Sequence, residues 1–344
     1  MTPYFLIVDV GGTKILAAAL DNNGEILARC KLKTDRSDKA ALLQQIDEAM
    51  EGALKDAKLA RSDIAGVALG VPGVVNSKTG HVVYTPNTPL TDTALGERLR
   101  RKWDCPVIVG NDVSVGMAGE FWRGAARDAS SAFGIFVGTG IGGGLILDGK
   151  QIDGFRGLGG EIGHLMIPLD ADELEGMTTK KHLFLEDLCS RTAIENQLRH
   201  AIVEEGKKSV LTSIVGDKKL TRIRSGALKK ALEKEDDLVT DVVRRASYLL
   251  GFASASVLHV VDPEVIVFGG GVIEACGKWM MPWIEKTVEK VAMQGTGEPP
   301  KIVQSELGDD AILLGGLALL KDGELDKKSG GEKIFASVDK PVRS

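Results

Sequence analysis

The sequence predicts an α/β protein in which one structural unit is used twice. An apolar run ends at Val10 and is followed by Gly11-Gly12-Thr13-Lys14, a second apolar run and a turn at residues 21–24. The same order returns in residues 132–149, where an apolar run leads into glycines and a threonine, then into apolar residues and a turn. Each segment has the pattern of a strand, a tight turn and a second strand. We therefore expect two α/β halves of common design.

The remaining elements follow from hydrophobic periodicity and from turn residues. Strands are predicted at 64–70, 107–109, 264–268 and 301–304, and helices at 39–59, 95–103, from about 113, at 241–261 and at 311–320. We expect a small lobe of residues 1–111, joined by a C-terminal helix at about 306–322, and a large lobe of residues 112–305. The polar residues 323–344 are predicted to form a disordered tail.

Composition excludes several classes of protein. The chain has 344 residues, 43% hydrophobic and 26% charged, which is typical of a soluble globular protein with a sizeable core. A net charge of −5 without a basic stripe predicts no nucleic-acid partner and no membrane partner. No apolar run reaches transmembrane length, no signal peptide is evident, and four scattered cysteines suit a reducing compartment. We expect a cytoplasmic protein.

The first glycine turn has the chemistry of a phosphate site. Gly11 and Gly12 allow a sharp bend, and their N–H groups, with Thr13 and Lys14, form a small cationic nest. Asp9 ends the preceding strand, where its carboxylate can hold Mg²⁺ through water. The spacing is not that of a Walker A loop.

The second glycine run, Gly138 to Gly143, fits G-x-G-x-x-G literally. A dinucleotide fingerprint opens a helix, whereas this run leads into a strand and a turn, so we reject an NAD site. Three glycines at 269–271 lie between a predicted strand and a helix, an arrangement suited to the phosphate and ribose of a nucleotide.

Two further segments carry candidate polar groups. Asp112 follows a buried strand; it either caps the next helix or supplies a carboxylate for general-base chemistry. Glu161 and His164 end a glycine-rich run. They either form a surface ion pair or bind adjacent hydroxyls of a sugar, and the glycine-rich setting favours the sugar.

Six motifs in order give the chain a specific resemblance. They are Asp9–Lys14, Gly70–Gly73, Asn111-Asp112, Gly138–Gly140, Glu161–His164 and Gly269–Gly271. Together they resemble the ROK family of sugar kinases, within the actin–hexokinase-like superfamily, from about residue 4 to about residue 320. The resemblance implies a two-lobed actin-like/ribonuclease H-like ATPase fold with duplicated α/β domains around a cleft.

The resemblance also implies an activity, with ATP and Mg²⁺ as cofactors. The expected reaction transfers the ATP γ-phosphoryl to a hexose hydroxyl, with glucose as first choice, Asp112 as catalytic base and Asp9 as the Mg²⁺ residue. The implied phosphate-binding residues are Gly11, Gly12, Thr13, Lys14, Gly138, Thr139 and Gly140, and those near adenosine are Gly270 and Gly271. The implied sugar-binding residues are Asn87, Asn111, Glu161, His164 and Glu186. Without the resemblance, Asn87 is a turn residue and Glu186 a helix-terminal acid.

The chain departs from the family at residues 165–183. Many members carry a cysteine-rich zinc cluster there, whereas this segment holds only scattered acids and His182, and Phe184 stands where the last zinc cysteine would be. A structural zinc site needs four closely spaced nitrogen or sulfur ligands, so we predict no structural zinc.

Several alternatives stay open. The hexose is alternatively fructose, mannose, allose or an N-acetylhexosamine, and the donor alternatively polyphosphate. Repressors of the family carry a DNA-binding domain ahead of the first motif; only eight residues precede Asp9, so we expect no DNA reader. A non-catalytic sugar sensor is the other alternative, which the intact Asn111-Asp112 pair disfavours. A homodimer is expected.

Overall fold

The computed structural model describes residues 3–167 and 183–329. Two five-stranded sheets dominate the described chain. The first contains β1 (Tyr4–Val10), β2 (Lys14–Asp21), β3 (Ile26–Lys33), β4 (Ile64–Val71) and β7 (Val107–Asn111), and a hairpin of β5 (Val74–Asn76) and β6 (His81–Tyr84) follows β4. The second contains β8 (Ala132–Val137), β9 (Ile141–Leu147), β10 (Lys150–Gln151), β13 (Val265–Gly269) and β14 (Lys301–Gln304). A short ladder joins β11 (Met166–Ile167) to β12 (Leu183–Phe184).

Helices connect and cover these strands. In chain order they are α1 (Lys39–Ala57), α2 (Leu95–Trp103), α3 (Asp112–Arg123), α4 (Leu185–Cys189), α5 (Arg191–Arg199), α6 (Leu211–Val215), α7 (Ser225–Glu233), α8 (Asp237–Val261), α9 (Gly271–Val291) and α10 (Ala311–Ser329). Within the described ranges, none of them combines the length and the apolar character that crossing a membrane requires.

The two sheets have the same strand order, which confirms the predicted duplication. The orders are β3-β2-β1-β4-β7 and β10-β9-β8-β13-β14. In each sheet the strand before the glycine turn is central and pairs in parallel with the fourth strand, which pairs in parallel with the fifth. Each glycine turn therefore lies at the carboxyl end of a central strand, where open α/β sheets bind ligands.

Strands β1, β2 and β4 of the first sheet are buried on both faces, which explains their nearly continuous apolar sequences. Alternate residues of β1 point to opposite sides: Leu6, Val8 and Val10 pack with residues of α1, and Phe5 and Ile7 pack with residues of α10. A helix from the end of the chain thus completes the core of the first strands.

The chain separates into two compact units, one of residues 1–131, 144–160 and 309–344 and the other of residues 132–143 and 161–308. The first unit includes α3, whereas the predicted large lobe began at Asp112. Close packing against α10 explains the difference: a Cβ on Gly119 would collide with the carbonyl group of Ala311. The predicted tail began at 323, but α10 continues to Ser329; residues 330–344 lie outside the described ranges.

Candidate active site

The predicted residues are divided between the two units. The first unit holds Asp9, Gly11, Gly12, Thr13, Lys14, Asn87, Asn111 and Asp112. The second unit holds Gly138, Thr139, Gly140, Glu161, His164, Glu186, Gly270 and Gly271.

Two aspartates lie at one edge of the first sheet because three parallel strands end there. Asp9 of β1 pairs with Gly70 of β4, and Gly70 pairs with Gly110 of β7. Neighbouring strands are about 4.8 Å apart, so the backbones of Asp9 and Gly110 are roughly 10 Å apart. Asp112 follows Gly110 by two residues, so a second carboxylate lies beyond the same edge.

Asp9 is buried, with a relative exposure of 9%. Burial, followed by the negative charge of Asp112, raises the pKa of Asp9 from 3.8 to about 7; Asp309 adds to the rise and Lys14 opposes it. A buried carboxyl beside a second carboxylate is stabilised in its charged form by a cation. Mg²⁺ prefers oxygen ligands such as carboxylates. A site with only one or two carboxylates leaves the other coordination positions of the ion to water and phosphate.

Lys14 forms an ion pair that the sequence does not predict. Its Nζ lies 2.7 Å from Oδ1 of Asp309, just before α10, and the resulting hydrogen bond lowers the pKa of Asp309. The two residues are almost 300 positions apart, so no local pattern could have linked them. Lys14 is thereby held at the start of β2, beside the first glycine turn.

The first glycine turn is closed by its own backbone. The N–H of Gly11 donates to the carbonyl of Lys14 at 2.9 Å, and the hydroxyl of Thr34 donates to the carbonyl of Gly11 at 2.7 Å. The loop that holds Asn87 lies against this turn, since a Cβ on Gly12 would be 3.3 Å from the Cβ of Asn87. Asn87 and the turn, predicted separately, thus adjoin each other.

The helix cap at the end of β7 is Asn111, so the alternative that Asp112 caps the helix is wrong. Oδ1 of Asn111 accepts the N–H of Ser114 at 3.0 Å, and its Nδ2 donates to the carbonyl of Gly73 at 3.0 Å. A cap requires extended backbone, which Asn111 has, whereas Asp112 is already the first helical residue. One carboxylate oxygen of Asp112 accepts the N–H of Val113 at 2.9 Å. Asn111 thereby fixes the Gly70–Gly73 turn and the start of the helix that carries Asp112.

The second glycine turn, between β8 and β9, is braced by the segment around α4 and α5. The N–H of Gly138 donates to the carbonyl of Gly140 at 2.9 Å within the turn. Oε2 of Glu186 accepts the N–H of Ile141 at 2.7 Å, and a Cβ on Gly140 would collide with that carboxylate. Arg191 donates from Nη2 to Oγ1 of Thr139 at 2.8 Å. Sequence reasoning missed Arg191, although it lies within the stretch 185–194 that located Glu186.

Glu161, His164 and Glu186 form one polar group. Nδ1 of His164 lies 3.5 Å from Oε2 of Glu161. Burial, opposed by His164 and reinforced by the charge of Glu186, raises the pKa of Glu161. His164 is exposed, and its ring contacts Phe184 with centroids 5.5 Å apart. An imidazole and two carboxylates, one bonded to the glycine turn, are thus available for the hydroxyls of a sugar.

The third glycine motif begins α9. Gly270 has a φ of +84°, and a Cβ there would be 2.7 Å from the carbonyl oxygen of Val137, so only glycine fits. Space is open at Gly271, where the nearest atom to a Cβ would be Oγ of Ser225 at 3.9 Å. The start of a 21-residue helix beside open space suits a nucleotide.

The ends of the segment 165–183 are joined by hydrogen bonds and packing. Met166 pairs with Phe184 and Ile167 with Leu183, and the N–H of Leu185 donates to the carbonyl of Leu165 at 2.9 Å. The scattered acids of this segment and His182 lie outside the described residues, so the absence of structural zinc stays a prediction.

The prediction of an α/β fold of the actin-like class is confirmed by the duplicated sheets and by the solved structures that resemble the chain. The sequence model of the ROK family matches residues 5–323. The chain belongs to the ROK family.

Three similar proteins show the range of the family. A glucokinase of Halalkalibacterium halodurans is 31% identical over 330 residues, which are 96% of this chain and 98% of that protein. The structure of a ROK family glucokinase from Streptomyces griseus, in complex with glucose and AMPPNP, has a TM-score of 0.76 at 26% identity, covering 92% of this chain and 98% of the other. A ROK family transcriptional regulator, a homologue of the E. coli MLC protein, has a TM-score of 0.81 at 26% identity, covering 93% of this chain and 78% of the regulator.

Proposed function

We propose that this protein is an ATP-dependent hexokinase that transfers the γ-phosphoryl group of ATP to a hydroxyl of glucose. The observation that carries the proposal is the pair Asp9 and Asp112 at one edge of the first sheet, next to a glycine turn. A sugar-binding protein needs no buried carboxyl with a pKa near 7, whereas phosphoryl transfer uses a metal-holding carboxylate and a base.

Asp112 is the general base in this proposal. It accepts the proton of the attacking hydroxyl, which increases the nucleophilicity of that oxygen as the bond to phosphorus forms. Because Asn111 is the cap, Asp112 is not needed to begin α3. Its place in the first turn of a helix that is anchored to Gly73 fixes the carboxylate, and positioning is the main requirement of this reaction.

Asp9 holds Mg²⁺ through water in the proposal, and its burial fits that role. When bound, the ion neutralises charge on the phosphates of ATP. The glycine turns, with the exposed hydroxyls of Thr13 and Thr139, hold the phosphates, and Lys14 adds a positive charge to the first turn. Gly270 and Gly271 let the backbone approach the adenosine.

The sugar is bound by Asn87, Asn111, Glu161, His164 and Glu186 in this proposal. Glucose is the first choice because every predicted sugar position is occupied and because a glucokinase is 31% identical over nearly the whole chain. Fructose, mannose, allose and N-acetylhexosamines are the alternatives, since these five residues do not by themselves distinguish one hexose from another.

A non-catalytic sugar sensor is the second candidate, and the similarity to a ROK family transcriptional regulator favours it. The two candidates differ in one observable: a sensor binds sugar without consuming ATP. The homodimer and the cytoplasmic location stay predictions; light scattering of the purified protein tests the first, and fractionation of the source cells tests the second.

The decisive experiment measures ADP release from ATP and Mg²⁺ over a panel of hexoses, with polyphosphate as an alternative donor. We expect release with glucose, and a loss of several orders of magnitude in Asp112→Asn, which keeps the oxygen that accepts the N–H of Val113 but is not a base. Asp38→Asn is the matched control, because Asp38 also stands at a helix N-terminus of the first unit, as the cap of α1. Protein that binds glucose but releases no ADP with any hexose would refute the kinase and leave the sensor.

A further inference from the structure

The glycine turn between β8 and β9 accepts hydrogen bonds to which the proposed reaction gives no role. Three bonds run from Arg191 and Thr192, at the start of α5, to this turn. The N–H of Arg191 donates to the carbonyl of Gly138 at 2.9 Å, its Nη2 donates to Oγ1 of Thr139 at 2.8 Å, and the hydroxyl of Thr192 donates to the carbonyl of Thr139 at 2.7 Å. The side chain of Arg191 is mostly buried, whereas Thr139 is exposed.

The place of Arg191 in its helix does not explain the residue. Arg191 is the first residue of α5, and a positive charge at a helix N-terminus is unfavourable because the helix dipole is positive there. Ser190 already caps the helix, since its hydroxyl accepts the N–H of Ala193. Partial compensation comes from Glu195, whose Oε2 lies 3.5 Å from Nη1 of Arg191 and whose Oε1 lies 2.6 Å from Nη2 of Arg199. The guanidinium of Arg191 therefore does not serve the stability of α5, and it donates a hydrogen bond to Thr139 instead.

The bond from Arg191 determines what the hydroxyl of Thr139 can do. A threonine hydroxyl has one proton to donate and two lone pairs to accept. Because a cationic donor occupies a lone pair, the proton is directed away from Arg191, and the O–H group is polarised towards being a stronger donor. An exposed, oriented hydroxyl donor at the tip of a glycine turn suits an anionic oxygen.

The charge of Arg191 also balances that of Glu186. Glu186 places a carboxylate on the N–H of Ile141, two residues beyond Thr139, where it would repel a phosphate bound at the turn. A guanidinium on Thr139 offsets that repulsion. A lysine would supply the positive charge but not the planar guanidinium, with which Arg191 contacts Thr139 and Glu195 at the same time.

We propose that Arg191 is a positioning residue for the phosphates of ATP, which acts through Thr139 by orienting its hydroxyl and by offsetting the charge of Glu186. The inference rests on the proposed function, since it names a further residue of the same nucleotide site. It does not require Arg191 to touch the nucleotide.

The test is a double-mutant cycle with Arg191→Met and Thr139→Val, read by calorimetric binding of AMPPNP in the presence of Mg²⁺ and by KM for ATP and for glucose. We expect Arg191→Met to weaken nucleotide binding and to raise KM for ATP by about tenfold or more, as for the loss of a charge-assisted hydrogen bond. KM for glucose should change less than about twofold, a difference too small to indicate a lost hydrogen bond. In the Thr139→Val background, Arg191→Met should have a clearly smaller effect, limited to the lost charge that offsets Glu186, because the hydroxyl that Arg191 orients is already gone. Arg191→Lys should lie between Arg191→Met and the wild type.

Arg199→Met is the matched control. It removes the other guanidinium that pairs with Glu195 but leaves the bond to Thr139, so it should lower thermal stability without changing nucleotide affinity. Equal nucleotide binding by wild type and Arg191→Met overturns the inference alone, as do independent effects of Arg191→Met and Thr139→Val. A wild-type protein that binds no AMPPNP overturns both the inference and the proposed kinase.

Discussion

The burial of Asp9 makes the free energy of unfolding depend on pH in a way that one substitution should remove. The pKa of Asp9 is about 7 in the folded protein and 3.8 in its ordinary state, so its charged form is less stable in the fold than in the unfolded chain. The difference of about three pKa units corresponds to about 4 kcal/mol. Because the folded-state pKa is raised, stability that is fully present below about pH 4 is lost as the pH rises towards 7, and the whole penalty applies above it.

Asp9→Asn keeps the shape of the side chain and removes the charge. We expect the variant to be more stable than the wild type by about 4 kcal/mol at pH 8.5 but by only about 1.5 kcal/mol at pH 5. Urea unfolding in EDTA, without nucleotide, measures the difference. A background of Trp279→Phe and Trp283→Phe leaves tryptophans in the first unit only, so that its transition is followed by fluorescence.

The control for this measurement is Asp38→Asn, which replaces an exposed aspartate of the same unit and should show no comparable gain at pH 8.5. The reasoning is refuted if Asp9→Asn destabilises the protein at pH 8.5, or if its effect is the same at both pH values. The gain should come with a loss of function, because the residue that destabilises the free protein is the one proposed to hold Mg²⁺. At pH values above 7, Mg²⁺ should accordingly raise the urea midpoint of unfolding of the wild type, and it should raise that of Asp9→Asn much less.

Three further predictions follow from individual contacts. Asp309→Asn removes a charge that raises the pKa of Asp9 and frees the lysine that it pairs with, so the pH at which Mg²⁺ begins to stabilise the protein should fall; pH-dependent thermal unfolding measures it. Glu186→Gln removes the charge proposed to bind the sugar but keeps an oxygen for the N–H of Ile141. It should therefore weaken glucose binding while sparing AMPPNP, whereas Glu186→Ala removes both and should weaken both in calorimetry. Asn111→Ala should cost about 1–2 kcal/mol in urea unfolding as a lost helix cap and should lower kcat, whereas Asn111→Asp, which can still cap, should retain most of the stability.

Local patterns were sufficient to predict the main strands and helices and the duplication. The strand before each glycine turn is apolar at nearly every position because its sheet is covered on both faces, and such runs are evident in a sequence. α2 and β14 begin and end at the predicted residues, and α1 and α8 differ by a few residues at one end. The end of α10 was missed because the sequence of residues 323–329 is polar and has no apolar periodicity.

The contacts at the candidate site depend on residues that are distant in sequence, and these were not predicted. Asp309 pairs with Lys14 through the return of the chain to the first unit, which no periodicity reveals. Capping was one of the two roles predicted for Asp112, and Asn111 was not considered for it. Both residue types cap helices, and only backbone angles distinguish the cap from the first helical residue. Arg191 lay in a recognised stretch, yet nothing in that stretch indicates that its guanidinium would reach Thr139 rather than solvent.

The two glycine turns share a topology but differ in how their carboxylates are stabilised, and this difference favours the first of them as the place of the proposed metal. At the second turn, the carboxylate of Glu186 accepts a backbone N–H, which stabilises its charge without a metal. At the first turn, burial and the neighbouring Asp112 make the charged form of Asp9 unfavourable, and Lys14, which opposes that effect, is paired with Asp309. A divalent cation is the simplest way to stabilise Asp9 in its charged form near neutral pH. We therefore expect substitutions at Asp9 to change the dependence of nucleotide binding on metal. Substitutions at Thr139 and Arg191 should change the part of the nucleotide affinity that does not depend on metal.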